Sequence, residues 1–151
     1  MTASIERLEK SPADTLGALI AESERFGLSF VRKLADEWTS GTNRFDGPGE
    51  LLIVARRANE LVGVCGLNVD PYAGGLGVGR VRHLYVLSAH RRGGVGEQLV
   101  RAIIDTARGR FRALHLRTFN PAAARLYERM GFEPRSDVPD CTHVMDLEAT
   151  R

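Results

Sequence analysis

The chain has 151 residues, 43% of them hydrophobic and 26% charged, with a formal net charge of +2. That length fits one domain, residues 1–151, with a core of its own, and so small a charge gives no ground for general nucleic-acid affinity. No apolar run approaches the ~18–20 residues of a membrane span, and no secretory pattern is visible, so a cytoplasmic setting without membrane attachment is the default expectation.

Ile5 to Leu8 reads as a short first strand. Asp14 can cap a helix from about Thr15 to Phe26, with Leu16, Leu19, Ile20 and Ser23 on one face, and Gly27 breaks it. Ser29 can cap a second helix, whose apolar stripe is Phe30, Val31, Leu34, Ala35 and Trp38. After a loop at 40–49, Leu51 to Arg56 and Leu61 to Val69 read as a hairpin turning at Asn59 and Glu60. Pro71 to Gly79 reads as a mobile, glycine-rich loop and Val81 to Val86 as a strand. Gly96 to Arg108 is predicted helical, because Leu99, Val100, Ile103, Ile104 and Ala107 fit the 3.6-residue period. Ala113 to Thr118 follows as a strand. Asn120-Pro121 opens a helix with a cap and a favoured first residue, and Gly131 stops it after Met130. Phe132 starts a short strand, and Thr142 to Leu147 is the last. The order predicts a mixed α/β domain in which the strands around the glycine turn form a parallel pair with a right-handed crossover.

That turn, His90-Arg91-Arg92-Gly93-Gly94-Val95-Gly96, stands between a strand and a helix. Backbone N–H groups of a glycine turn at a helix N-terminus make an anion site, and two arginines add charge; a diphosphate fits both. Neither a P-loop nor a Gly-x-Gly-x-x-Gly dinucleotide fingerprint can be written through these residues.

Two motifs together resemble the GCN5-related N-acetyltransferase (GNAT) superfamily. Arg91-x-x-Gly94-x-Gly96, preceded by Leu84-Tyr85-Val86, is similar to its pyrophosphate-binding motif. Asn120-x-x-Ala123-x-x-x-Tyr127-x-x-x-Gly131-Phe132 is similar to its second signature. The resemblance implies a central, mostly antiparallel sheet with one splayed parallel pair and about four helices. It implies acetyl-CoA as co-substrate and direct acetyl transfer to a primary amine of a small molecule or peptide. The cofactor-binding residues it implies are Leu84, Tyr85 and Val86 on the strand, Arg91, Arg92, Gly93, Gly94, Val95 and Gly96 in the turn, and Asn120, Ala123 and Tyr127 on the later helix. The pantetheine arm would lie between Leu84–Val86 and Leu114–Thr118, and a backbone N–H near Val86 would face the oxyanion. Tyr127, which stays protonated at neutral pH, is the candidate general acid for the departing thiolate.

No base is evident: Val81 to Val86 holds no carboxylate, and its polar residues Arg82 and His83 fall on opposite faces of a regular strand. His83 can titrate near neutrality but also reads as an edge or surface histidine; Arg82 can attract an acidic acceptor group or serve as an exposed ion-pair partner. In the family the acceptor site is shaped by regions corresponding to Phe26–Phe45 and Glu133–Cys141. Asp36, Glu37, Asp46, Asp137 and Asp140 can draw a cationic amine or be plain surface charges. His90, His115 and His143 show no metal spacing, no metal is expected, and Cys65 reads as buried and inert. Family precedent leaves a homodimer open. A non-catalytic acyl-CoA sensor on the same fold is the alternative to an enzyme.

Overall fold

The computed structural model describes residues 3–148, so the ends of the expected 1–151 domain lie outside the described residues. Seven strands form one sheet in the order β1-β2-β3-β4-β5-β7-β6. They are β1 (Ser4–Arg7), β2 (Leu51–Arg57), β3 (Glu60–Val69), β4 (Val78–Val86), β5 (Ala113–Leu116), β6 (Glu133–Pro134) and β7 (His143–Asp146). All neighbours are antiparallel except β4 and β5. The helices are α1 (Pro12–Thr15), α2 (Gly17–Arg25), α3 (Phe30–Ser40), α4 (Val95–Ala107) and α5 (Pro121–Arg129). This is the architecture that the sequence motifs imply, with a fifth, one-turn helix.

The extra helix corrects the reading of Asp14 as a cap. Ser11 is the N-cap residue, Pro12 occupies the first turn, and Asp14 lies inside α1. The chain then breaks at Leu16, wholly buried, before α2 begins at Gly17. The hairpin turns one residue earlier than expected, at Ala58 and Asn59, both with positive φ, as a two-residue turn matched to strand twist requires. β4 begins at Val78, taking the end of the glycine-rich segment into the sheet.

The stripe of α4 is buried as its period predicts: Leu99, Val100 and Ile103 are fully enclosed. Each such side chain contributes roughly 1.5–3 kcal/mol on leaving water. Gly63 lets this helix approach, since a Cβ there would stand 2.9 Å from Leu99 Cδ1. On Gly66 a Cβ would meet Phe45, which follows α3. Residues 63 and 66 face opposite sides of a regular strand, so α4 covers one face of the sheet and Phe45, with α3, the other.

Two irregularities interrupt β4. Its parallel pairing with β5 covers only Val78, Gly79 and Arg80, so from Val81 onward the edge toward β5 has no strand partner. Opposite Cys65 of β3, β4 also carries a bulge, with His83 at φ 62°.

Candidate active site

The splay between β4 and β5 opens a cleft of about 1300 Å³. It joins the two sequence motifs. Leu84, Tyr85, Val86, Arg91, Arg92, Gly94 and Gly96 line it from one side, and Asn120, Ala123 and Tyr127 from the other. Gly93 and Val95 do not line it with their side-chain positions. The Gly93 carbonyl accepts a hydrogen bond from Arg57 at 3.2 Å, and Val95 is a core residue 1% exposed.

Gly94 is the N-cap residue of α4 at φ 84°, and no side chain caps the helix. The first intrahelical bond to form runs from the Gln98 amide to the Gly94 carbonyl. The amides of Val95, Gly96 and Glu97 therefore have no acceptor within the helix. A Cβ built on Gly94 would meet nothing within 4 Å, so open space lies beside this turn. Arg92 is exposed, also at positive φ, and has no side-chain hydrogen bond or ion pair among the described residues. Arg91 is exposed too but reaches back to the strand. Its Nε donates to the Val86 carbonyl at 2.9 Å, and its guanidinium lies 5.2 Å above the Tyr85 ring.

Behind the turn sits Glu22 of α2, which the sequence motifs do not single out. It is 9% exposed and accepts from Tyr85 Oη at 2.6 Å, Ser88 N at 2.8 Å and Ser88 Oγ at 3.0 Å, with Arg91 Nη2 at 3.9 Å. Burial alone would raise its pKa, but the bonds from Tyr85 and Ser88, with the Arg91 charge, hold it below the ordinary carboxylate value. Tyr85 is pushed up to about 12, by burial first and then by this carboxylate, so its hydroxyl remains a donor. The only sequence signal for Glu22 is an acid next to the apolar positions of an amphipathic helix.

Asn120 caps α5 as predicted, its side chain accepting from the Ala122 and Ala123 amides. Tyr127, one turn beyond Ala123, is 6% exposed and packs edge-on to Phe132. Burial raises its pKa well above the usual phenol value, so it holds its proton at neutral pH. Cys65 is wholly buried and pushed up to about 12, which leaves its thiol without nucleophilic character.

The other end of the cleft departs from expectation. The bulge turns Arg82 and His83 to the same face of β4. Arg82 Nη1 reaches Asn68 Oδ1 at 3.5 Å, while His83 packs against Phe30 and Phe45. His83 is therefore not a surface histidine. Burial, with Arg82 and Lys33 nearby, lowers its pKa to about 3, and its Nε2 is buried without a hydrogen-bond partner among the described residues. None of Asp36, Glu37, Asp46, Asp137 and Asp140 lines the cleft, nor does any residue of 133–141. Pro71 and Tyr72 from the glycine-rich segment, and Arg117 to Phe119 after β5, wall that end with Phe26, Leu28 and Phe30. The lining as a whole carries Arg80, Arg82, Arg91, Arg92, Arg117, Arg125 and Arg129 against one carboxylate, Glu97. His115 and His143 sit elsewhere, held by Asp70 at 3.2 Å and Glu128 at 2.8 Å.

The sequence profile of the Acetyltransferase (GNAT) family matches residues 18–132, which span both motifs. The chain belongs to this family. Among solved structures, a provisionally assigned acetyltransferase from Exiguobacterium sp. 255-15 is 26% identical, with full coverage of both chains and a TM-score of 0.85. An acetyltransferase of the GNAT family from Staphylococcus aureus Mu50 is 17% identical, with 96% and 99% coverage and a TM-score of 0.75. An Escherichia coli GNAT family N-acetyltransferase solved in complex with CoA is 21% identical, with 97% of this chain and 82% of that chain covered and a TM-score of 0.72. No curated protein matches the sequence.

Proposed function

We propose that this protein is an acetyl-CoA-dependent N-acetyltransferase that moves the acetyl group directly to a primary amine of a small molecule or peptide. One observation carries the reading: the uncapped first turn of α4, the unpaired edge of β4 and the Tyr127 side chain all open into a single cleft. The coenzyme bound by the Escherichia coli relative supports the same ligand here. The residues present fit it. The open space beside Gly94, three amides without helical acceptors and the free Arg92 guanidinium suit a diphosphate. The edge of Leu84–Val86, which has no strand partner toward β5 among the described residues, suits an amide-bearing arm taken as an added strand.

Bound acetyl-CoA supplies a thioester, an acyl group already activated for attack by an amine. Every other part comes from the chain. Arg91 and Glu22 brace β4 against the turn, so the amides that grip phosphate and the edge that aligns the arm are held as one unit. Ala123 leaves room above α5, and Tyr127, which lines the cleft and holds its proton, would supply the proton that a departing thiolate needs. His83 is a weak base; its neutral ring can position an incoming group but not retain the amine's proton.

Calorimetric titration with acetyl-CoA, paired with free-thiol release over an amine panel, tests the reading. Thiol release dependent on an amine is expected. Tyr127→Phe should lower kcat by about 10²-fold, the scale of general acid catalysis, with acetyl-CoA affinity little changed. Binding with no thiol release on any amine would instead favour the sensor, and an unaltered kcat in Tyr127→Phe would remove the phenol from the chemistry.

A further inference from the structure

On the acetyl-transfer reading above, the far end of the cleft defines what the acceptor must carry. We infer that the acceptor is a primary amine bearing its own anionic group, with a carboxylate as the committed case. That group seats on the Arg82 and Arg80 guanidinium groups, and an apolar body lies against Phe26, Phe30 and Tyr72.

Arg80 and Arg82 stand four to six residues before Val86 on β4, roughly 13–20 Å along the strand from the end that leads into the glycine turn. The phosphates of a coenzyme held at that turn are thus beyond their reach, and Arg92 is already there. Arg80 is 8% exposed, and its Nη1 is buried without a hydrogen-bond partner among the described residues. Its Nη2 donates to the Asp140 carbonyl at 2.8 Å, and Asp70, at 3.7 Å from Nη1, is shared with His115. Arg82 has no carboxylate partner among the described residues; its contact is the neutral Asn68 amide oxygen. A half-enclosed guanidinium without a counter-charge, beside a second with an unused donor, is the arrangement a bidentate anion completes.

The rest of that end agrees. The cleft's one carboxylate, Glu97, belongs to the first turn of α4, at the opposite end. The carboxylates nearest this end are already engaged, Asp70 beside Arg80 and His115 and Asp140 with Arg117, so a purely cationic amine gains no free counter-charge, whereas a zwitterionic one brings its own anion. Positive surroundings also lower the pKa of the incoming amine, favouring the unprotonated nucleophile. Phe26 is 58% exposed and Tyr72 59%, and the Tyr72 ring lies 4.8 Å from the Arg80 guanidinium carbon, so apolar surface adjoins the charge.

Matched sets decide the matter: L-alanine, L-leucine and L-phenylalanine, each beside its carboxamide, its decarboxylated amine and its 1-aminophosphonic analogue. In at least one set the carboxylate should exceed both members that lack an anionic group in kcat/KM by about 10- to 100-fold, the range of a charge-assisted hydrogen bond. A phosphonate that exceeds the carboxylate keeps the anion but overturns the commitment to carboxylate. Arg82→Gln should bring the ratio of acid to amide close to one, and Arg82→Lys should restore part of it. The inference fails if amines without an anionic group are acetylated as well as the acids, if no anionic member reacts while acetyl-CoA still binds, or if Arg82→Gln slows all amines equally. Loss of acetyl-CoA binding by the unaltered protein would instead sink the transferase reading itself.

Discussion

Removing the Glu22 carboxylate tests how the glycine turn is held. Glu22→Ala deprives Tyr85 Oη, Ser88 N and Ser88 Oγ of their common acceptor and leaves the Arg91 guanidinium without its nearest carboxylate. Hydrogen bonds to a charged group are worth ~1.5–3 kcal/mol each. Three sharing one carboxylate do not add, and the variant is relieved of burying the charge. The net loss is about 2–4 kcal/mol, or roughly 4–16 °C in Tm for a domain of this size. Glu22→Gln should lie between the variant and the parent, since its amide oxygen can still accept. Ser88 and Arg91 flank the turn, so acetyl-CoA affinity should fall along with stability. Because the Glu22 pKa is lowered on folding, its stabilisation is complete above the ordinary carboxylate value of 4.5 and lost as pH falls through the lowered one. Glu22→Ala should therefore flatten the acid limb of stability below pH 4.5. Thermal unfolding by circular dichroism and calorimetric titration with acetyl-CoA measure both effects. A Tm within about a degree of the parent would refute the bracing. So would a lowered Tm with acetyl-CoA affinity untouched, because the carboxylate would then stabilise the fold without shaping the turn.

Three further outcomes are expected. Gly94→Asp should abolish acetyl-CoA binding by placing a negative charge at the anion site. The left-handed φ of 84° costs the new residue only about 1–2 kcal/mol, so an unchanged far-UV spectrum with retained binding would count against the site. His83 has its pKa lowered on folding to about 3 from 6.5, so its contribution is complete above pH 6.5 and lost progressively as pH falls toward 3. Denaturant titrations across that range should show a decline of about 3–5 kcal/mol attributable to this site, absent in His83→Gln; identical slopes would mean the ring is hydrated. Asn120→Ala, which removes the acceptor for two α5 amides, should cost about 1 kcal/mol in urea denaturation, and no loss would show the cap to be dispensable.

Periodicity and capping chemistry alone determined α4 and α5, because those signals are local: a stripe at 3.6 residues, an Asn-Pro start, a Gly stop. The hairpin was legible from its two apolar runs, with its turn one residue earlier than they suggest. The glycine turn was legible for the same reason, since its uncapped helix start is a property of the main chain and needs no particular neighbour. Tertiary structure decided the rest. The shift of Arg82 and His83 onto one face arises from a bulge opposite Cys65, which alternation along a single strand cannot reveal. The end of the cleft away from the glycine turn assembles from β4, the segment before it, the turn after α2 and the loop after β5, and no spacing in the chain records that meeting. Glu22 and Tyr85 are 63 positions apart. Such a pair depends on how a helix docks against a sheet, which the burial of apolar side chains from the whole chain settles together.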